Sequence, residues 1–322
     1  MERRKIEVIA PSRLHFGLFA FGDGQHCFGG VGAMISEPVT RVRICAGEGL
    51  QSIGAHADRC LGFARRWASF HNQAMEPACL IEVLSAPRQH SGLGVGTQLG
   101  LAIAAGLSAF FDEPTGSPAE LAISVGRGQR SAVGTHGFGE GGLIVDGGKS
   151  ATDAISPLHC RLDIPDDWRF VLISPRDWTG LSGTDEQTAF ETSPVVSRET
   201  TEQLQREVRE VMVPALAECH FERFSQSVFQ YGRLAGLCFK ERQGGSYNGP
   251  LLTEIVDTIR SWGVQGVGQS SWGPTLFSLL PSQADADSLA DRLAQRYARD
   301  EHDIWIAAPN NHGAKVSRVA NP

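Results

Sequence analysis

The chain has no basic surplus: 29 Lys and Arg against 36 Asp and Glu leave a formal charge of -7 over 322 residues. Nucleic-acid binding needs an extensive basic footprint, so that class is excluded and any anion site has to be local. Paired thiols are also missing. The seven cysteines are scattered, with no C-x-x-C pair and no histidine at zinc-finger spacing, and read as reduced structural thiols. No apolar run reaches bilayer length: the longest, residues 99–111, is interrupted by Gly100, Gly106 and Ser108. The N-terminal "MERRKIEVIAPSR" turns polar before a signal-type apolar core can form. Low-complexity tracts and internal repeats are absent as well, and 41% hydrophobic with 20% charged residues describes a globular chain. These absences lead to the expectation of a cytoplasmic enzyme without nucleic-acid or membrane partners.

The length exceeds one compact core, so two packed domains are expected. "KIEVIA", "RVRIC" and "CLIEVL" read as strands, and residues 56–70 as a helix with Leu61, Ala64, Trp67 and Ala68 on one face. Residues 99–111 are apolar all round, as in a helix buried between layers. "SPAELAI" opens with a capping box, Ser117 as N-cap and Glu120 reaching back. Periodicity is lost around residues 149–165, and the boundary is placed there: residues 1–155 and residues 156–322. In the second part, "RFVLIS", "PTLFSLL" and "DIWIAA" read as strands with the helices grouped on one side. One polar helix places Leu204, Val208, Val211 and Ala215 on a face, with a kink near Pro214. The class is α+β.

Three stretches carry chemistry. In "SGLGVGTQ", Gly92, Gly94 and Gly96 remove side chains where a backbone bends toward a ligand, and a helix start follows with Thr97 and Gln98. The stretch suits a phosphate or diphosphate cradle, or else a tight packed turn. It lacks the lysine of a Walker loop. Residues 126–148 combine Arg127 and Arg130 with nine glycines, His136, Glu140 and Asp146. Guanidinium groups suit bidentate phosphate recognition and a carboxylate suits Mg²⁺; helix-end charges are the alternative. Residues 263–275 compress Gln269, Ser270, Ser271 and Trp272 before a strand, and the indole either stacks on a substrate ring or fills a core. Ser271 does not sit in a G-x-S-x-G elbow. Arg13 and His15 fall on the same side of an extended segment, and Asp185 and Glu186 in a glycine and serine loop mark either a metal edge or a solvated turn.

"APSRLHFG", "SGLGVGTQ" and "GVGQSSWGPT" occur in the order of the signatures of the GHMP small-molecule kinases. Together with "RGQRSAVGTHGFGEGGLIVDGG", "GLSGTDEQTAF" and "RQGGSY", they resemble the β-ribofuranosylaminobenzene 5′-phosphate synthases, a branch of that superfamily that is not kinase-like in activity. The likeness runs from Pro11 to about Pro274. It implies a GHMP-type two-domain fold, with a first half like ribosomal protein S5 domain 2 and a second half that is a ferredoxin-like α/β sandwich. Two departures from the kinase pattern matter: Gly92 to Thr97 lacks the seryl hydroxyl of G-L-G-S-S-A, and Ser131 to Gly134 lacks the aspartate of S-G-x-D. Glycine cannot act as a general base.

The resemblance implies transfer of ribosyl 5-phosphate from phosphoribosyl diphosphate to 4-hydroxybenzoate or 4-aminobenzoate. A C-riboside forms with loss of CO₂ and diphosphate, in methanopterin biosynthesis. The expected catalytic residues are Arg127, Arg130 and Glu140. Substrate would be held by Arg13, His15, Gly92, Gly94, Gly96, Thr97, Gln98, Gln269, Ser270, Ser271 and Trp272. Mg²⁺ would be held by Glu140, Asp185 and Glu186. Expected partners are the two small-molecule substrates, with a homodimer as the assembly. An ATP-dependent GHMP kinase and an inert anion-binding homologue are the competing readings; the first conflicts with residues 131–134, the second with the retained charged set.

Overall fold

A computed structural model of the chain describes residues 4–19, 27–178, 196–298 and 300–319. The first strand, β1 (Lys5–Leu18), is longer than its β-branched start predicts and buries three residues in every four. It pairs antiparallel along β2 (Gly30–Ala46), with register shifts between Ala10 and Ser12 and between His15 and Gly17. Such irregularities re-aim side chains. The second one lies beside His15.

The first sheet is completed by β3 (Gln51–Gly54), β4 (Cys79–Ser85), β5 (Leu143–Asp146), β6 (Leu158–Leu162) and β11 (Lys315–Arg318). β6 pairs with β5 and β11 with β1. Both lie beyond residue 155, so the expected division of the chain does not coincide with sheet membership. Main-chain pairing across long sequence separations leaves no mark in local composition.

Over this sheet lie α1 (Ala57–Phe70), α2 (Val95–Phe111), α3 (Pro118–Ser124) and α4 (Val133–Glu140). α2 is the central helix: every residue from Gln98 to Ser108 is buried. Burying each large aliphatic side chain contributes about 1.5–3 kcal/mol, which is why an all-apolar helix takes this place. Ser108, near its end, accepts through Oγ from Trp67 Nε1 at 3.0 Å. The capping box at Ser117 and Glu120 is present as expected.

The second sheet has the order β10 (His302–Ala307), β7 (Arg169–Pro175), β9 (Leu276–Leu280), β8 (Gly266–Gln269), all antiparallel. Helices cover both faces rather than one. Phe170 and Leu172 pack with α7 (Phe221–Leu237), while the alternate residues Val171 and Ile173 pack with α8 (Gly249–Ser261) and α9 (Gln283–Arg296). The uninterrupted apolar run "FVLI" fits a strand buried on two sides.

The polar helix also departs from expectation. α5 (Arg198–Arg206) passes through a π-helical turn over Glu207–Met212 into α6 (Val213–Ala217). Pro214 has no N–H for the usual backbone bond, and the wider turn shifts the buried face by one residue. Leu204, Val208, Met212 and Ala215 are buried, and Val211 is half-exposed. Leu14 and Phe16 of β1 share one cluster with Phe170, Phe277 and Tyr231, and the Tyr231 hydroxyl donates to the Gly17 carbonyl at 2.8 Å. The two halves are thus joined by a common core beside the cleft described next.

Candidate active site

The glycine turn does open a helix, and earlier than the apolar run predicts. α2 begins at Val95, with Gly94 as N-cap at φ 73° and no side-chain cap. Gly96, Thr97 and Gln98 therefore belong to its first turn; the Thr97 and Gln98 N–H groups donate to the Gly94 carbonyl at 3.0 and 3.1 Å, which leaves the earlier N–H groups of the turn and the helix dipole to favour an anion. The turn borders a cleft of about 630 Å³.

Guanidinium groups surround this helix start. A Cβ on Gly94 would lie 3.0 Å from Arg13 Nε. A Cβ on Gly96 would collide with Arg59 Nη2 and lie 3.4 Å from Arg127 Nη2, which also reaches Thr97 Oγ1 at 3.4 Å. Glycine at these two positions leaves room for the guanidinium groups to approach the helix start. Arg130 lines the same cleft. No Asp or Glu is among the described lining residues, so a protein of net charge -7 presents a locally cationic pocket.

Arg59 carries no local signal of function. It stands in α1, in a pattern that reads as an ordinary amphipathic helix, and only the fold brings it to Gly96. Its burial lowers its pKa, and among the described residues its guanidinium has no carboxylate or hydrogen-bond partner; the Phe63 ring lies 5.8 Å away. A half-buried guanidinium in that state is disposed to accept an anionic ligand.

The second half of the chain supplies the other wall. Trp272 lines the cleft with Phe239, their rings edge-on with centroids 4.7 Å apart. Gln269 lines it too, anchored by donating to Gln243 Oε1 at 3.1 Å and to the Ser271 carbonyl at 2.9 Å. Ser271 adopts φ 56°, and its N–H donates to the His15 carbonyl at 3.0 Å. Trp272, largely buried, and the arginines thus bring aromatic and cationic groups to one cleft.

Three of the expected residues do not line the cleft. Gln98 points away from the cleft: it is buried and donates through Nε2 to the Gly134 carbonyl at 2.8 Å, bracing α2 against α4. Successive helical residues are turned by about 100°, so Thr97 and Gln98 cannot share a direction. Ser270 is fully buried, donates to the Gly92 carbonyl at 2.7 Å and accepts from the His15 N–H at 3.0 Å. It is a strut between the halves.

Glu140 is exposed at the far end of α4, roughly 10 Å of helix beyond Ser131 at 1.5 Å per residue, and does not line the cleft. Its carbonyl accepts from Arg161 Nη2 at 3.0 Å. Asp185 and Glu186 lie outside the described residues. Among the described residues no group of three His, Cys, Asp or Glu could hold a metal ion.

Sequence reasoning also undervalued Ser131 and Asp146. His15 Nε2 lies 3.0 Å from Ser131 Oγ, which donates to Asp146 Oδ2 at 2.8 Å. Burial, and then the charge of Arg13, hold the His15 pKa well below the usual imidazole value. Burial pushes the Asp146 carboxyl up, against hydrogen bonds that pull it down.

Comparison with known proteins follows the same lines. Residues 204–299 match the GHMP kinases C-terminal family. The chain is 31% identical to the β-ribofuranosylphenol 5′-phosphate synthase of Methanothermobacter thermautotrophicus, over 85% of this chain and 89% of that protein. It is 30% identical to the protein of the same name from Archaeoglobus fulgidus, over 90% and 93%. Among solved structures, mevalonate pyrophosphate decarboxylase from Streptococcus pyogenes superposes with a TM-score of 0.71 at 14% identity, covering 97% of this chain and 98% of that one. Homoserine kinase from Cytophaga hutchinsonii gives 0.66 at 16%, covering 97% of each. These two establish a shared fold. No helix among the described residues is long and apolar enough to cross a membrane.

Proposed function

The chain belongs to the β-ribofuranosylphenol 5′-phosphate synthase family and has the GHMP fold, and from that premise we propose that it joins ribosyl 5-phosphate to a para-substituted benzoate as a C-riboside. The donor is phosphoribosyl diphosphate, the acceptor 4-hydroxybenzoate or 4-aminobenzoate, and CO₂ and diphosphate leave, in the pathway to methanopterin. One observation carries the reading: the uncapped start of α2 meets Arg13, Arg59 and Arg127 in a cleft whose described lining holds no carboxylate.

Departure of diphosphate builds negative charge on the leaving group and positive charge on the ribose ring. Main-chain N–H groups and guanidinium groups already oriented at the α2 start stabilise the former without reorganisation at the moment of reaction. Trp272 and Phe239 form the wall against which the arene lies, placing its carboxylate-bearing carbon toward the sugar. A water-poor wall also limits hydrolysis of the ribosyl cation. Expulsion of CO₂ restores aromaticity, so no ring proton has to be removed.

The test is incubation of the purified protein with phosphoribosyl diphosphate and carboxyl-labelled 4-hydroxybenzoate or 4-aminobenzoate. Labelled CO₂ and diphosphate should appear in equal amounts. ADP formation from ATP with a small-molecule acceptor, and no CO₂, would refute the reading.

A further inference from the structure

His15, Ser131 and Asp146 form a hydrogen-bonded chain that runs from the cleft into the interior. Asp146, at the end of β5, is fully buried. Its Oδ2 accepts from Ser131 Oγ and from the Ala132 N–H, both at 2.8 Å. Its Oδ1 accepts from Ser156 Oγ at 3.1 Å, from the Gly30 N–H at 3.2 Å and from the Gly148 N–H at 3.3 Å. Five donors converge on it, so the resting group is the carboxylate, which only accepts.

Proton counting then fixes the remaining members. Ser131 has one hydroxyl hydrogen, and it is committed to Asp146. Its oxygen accepts from the Val133 N–H at 3.3 Å and from His15 at 3.0 Å. His15 therefore carries its hydrogen on Nε2, and Nδ1 is an unprotonated acceptor. Nδ1 has no hydrogen-bond partner among the described residues, in a side chain that lines the cleft. The main chain of His15 is held on both sides by Ser270 and Ser271, which places the residue next to the Trp272 wall.

Resting on the phosphoribosyl-transfer reading, we propose that His15 is a catalytic residue that accepts the proton of the arene's para hydroxyl or amino group, with Ser131 and Asp146 as positioning residues that carry the charge inward. The bond from ribose C1 to the diphosphate oxygen breaks, and its electron pair leaves with diphosphate. The ring carbon bearing the carboxylate bonds to C1, and the para oxygen supplies a lone pair to the ring. Its proton passes to Nδ1 while the Nε2 hydrogen moves to Ser131 Oγ and the Ser131 hydrogen to Asp146 Oδ2. The ring is then a dienone carboxylate. The bond to the carboxylate breaks, its electron pair re-enters the ring, CO₂ departs, and the three protons return to give the phenol. An amino group passes through the corresponding imine.

The cleft needs such a path. A ring cation that keeps its para proton is strongly acidic, and Nδ1 of His15 is an acceptor in the lining of the cleft. An imidazolium at His15 is disfavoured by burial and by Arg13. Moving the proton on to a buried carboxylate leaves neither.

The experiment compares two acceptors at about pH 8.5, 4-hydroxybenzoate, whose phenol is still mostly protonated, and 3,5-difluoro-4-hydroxybenzoate, whose phenol is ionised. Ser131→Ala should lower kcat for the first by about 10²-fold and for the second by less than fivefold. Ser131→Thr, which keeps the hydroxyl, should recover most of the loss. The Kd for phosphoribosyl diphosphate should stay within twofold in both variants, which excludes misfolding as the cause. Equal loss with both acceptors, or no loss, would overturn the relay while leaving the transferase reading intact. Release of neither CO₂ nor diphosphate by the unmodified protein would overturn both.

Discussion

Gly96→Ala separates the two uses of the glycine turn, because stability and ligand binding should move in opposite directions. Gly96 lies in the first turn of α2 and is not among the residues with positive φ, so alanine suits its backbone. Alanine in a helix is favoured over glycine by about 0.5–1 kcal/mol. The new methyl group would collide with Arg59 Nη2, the far end of a flexible side chain, and press on Arg127 Nη2 at 3.4 Å. The fold can therefore accommodate it by displacing Arg59. A charge-assisted hydrogen bond contributes about 1.5–3 kcal/mol, so losing one to the donor weakens binding roughly 10- to 150-fold.

Urea unfolding should show a protein at least as stable as the parent. Calorimetric titration with phosphoribosyl diphosphate should show the loss of affinity. Neighbouring sites are not additive when one acts through the other. Gly96→Ala made in an Arg59→Ala background should therefore weaken binding by less than threefold further. Undiminished donor affinity in Gly96→Ala, or full additivity with Arg59→Ala, would refute the idea that Arg59 and the turn form one anion site.

Gly92→Ala should behave oppositely, since φ is +84° and a Cβ would collide with the Ser270 carbonyl and sit 3.1 Å from the Gly273 carbonyl, both main-chain atoms. A left-handed conformation costs about 1–2 kcal/mol before any displacement, so the melting temperature should fall by roughly 2 °C or more; an unchanged value would mean the two halves are not clamped there. Trp272→Leu should raise KM for the benzoate by roughly 2- to 12-fold, the value of an aromatic pair, with donor affinity within twofold; an effect on the donor alone would place the arene elsewhere. Burial pushes the thiols of Cys60 and Cys238 up to about 11 and that of Cys79 to about 12. The folded protein thus holds protons that the unfolded chain releases near the ordinary thiol value. This stability is complete below that value and is lost as pH rises from about 9 toward 11–12. The urea midpoint should drop between pH 8 and pH 10.5, and a flat profile would contradict it.

Local chemistry made much of the molecule legible from its residues. An all-apolar helix has to be buried, a serine with a glutamate three residues on caps a helix, and three alternate glycines before a helix mark a turn that a ligand can approach. The ordered motifs pointed to the family, and the structure brings Arg13, His15, Arg127, Arg130, Gln269 and Trp272 to one cleft. Each of these inferences depends on the period of a helix or strand, or on a φ angle, which neighbouring residues set.

What only tertiary structure decided is which side chains meet across long separations. Arg59 reaches the turn from another helix, Ser270 and Gln98 turn inward to satisfy carbonyls, Glu140 is carried off along α4, and β6 and β11 return to the first sheet. The hydrogen-bonded line from His15 through Ser131 to Asp146 joins residues as much as 131 positions apart. Those placements follow from packing and from the need of every buried polar atom for a partner. Both are properties of the assembled chain, and no local window contains them.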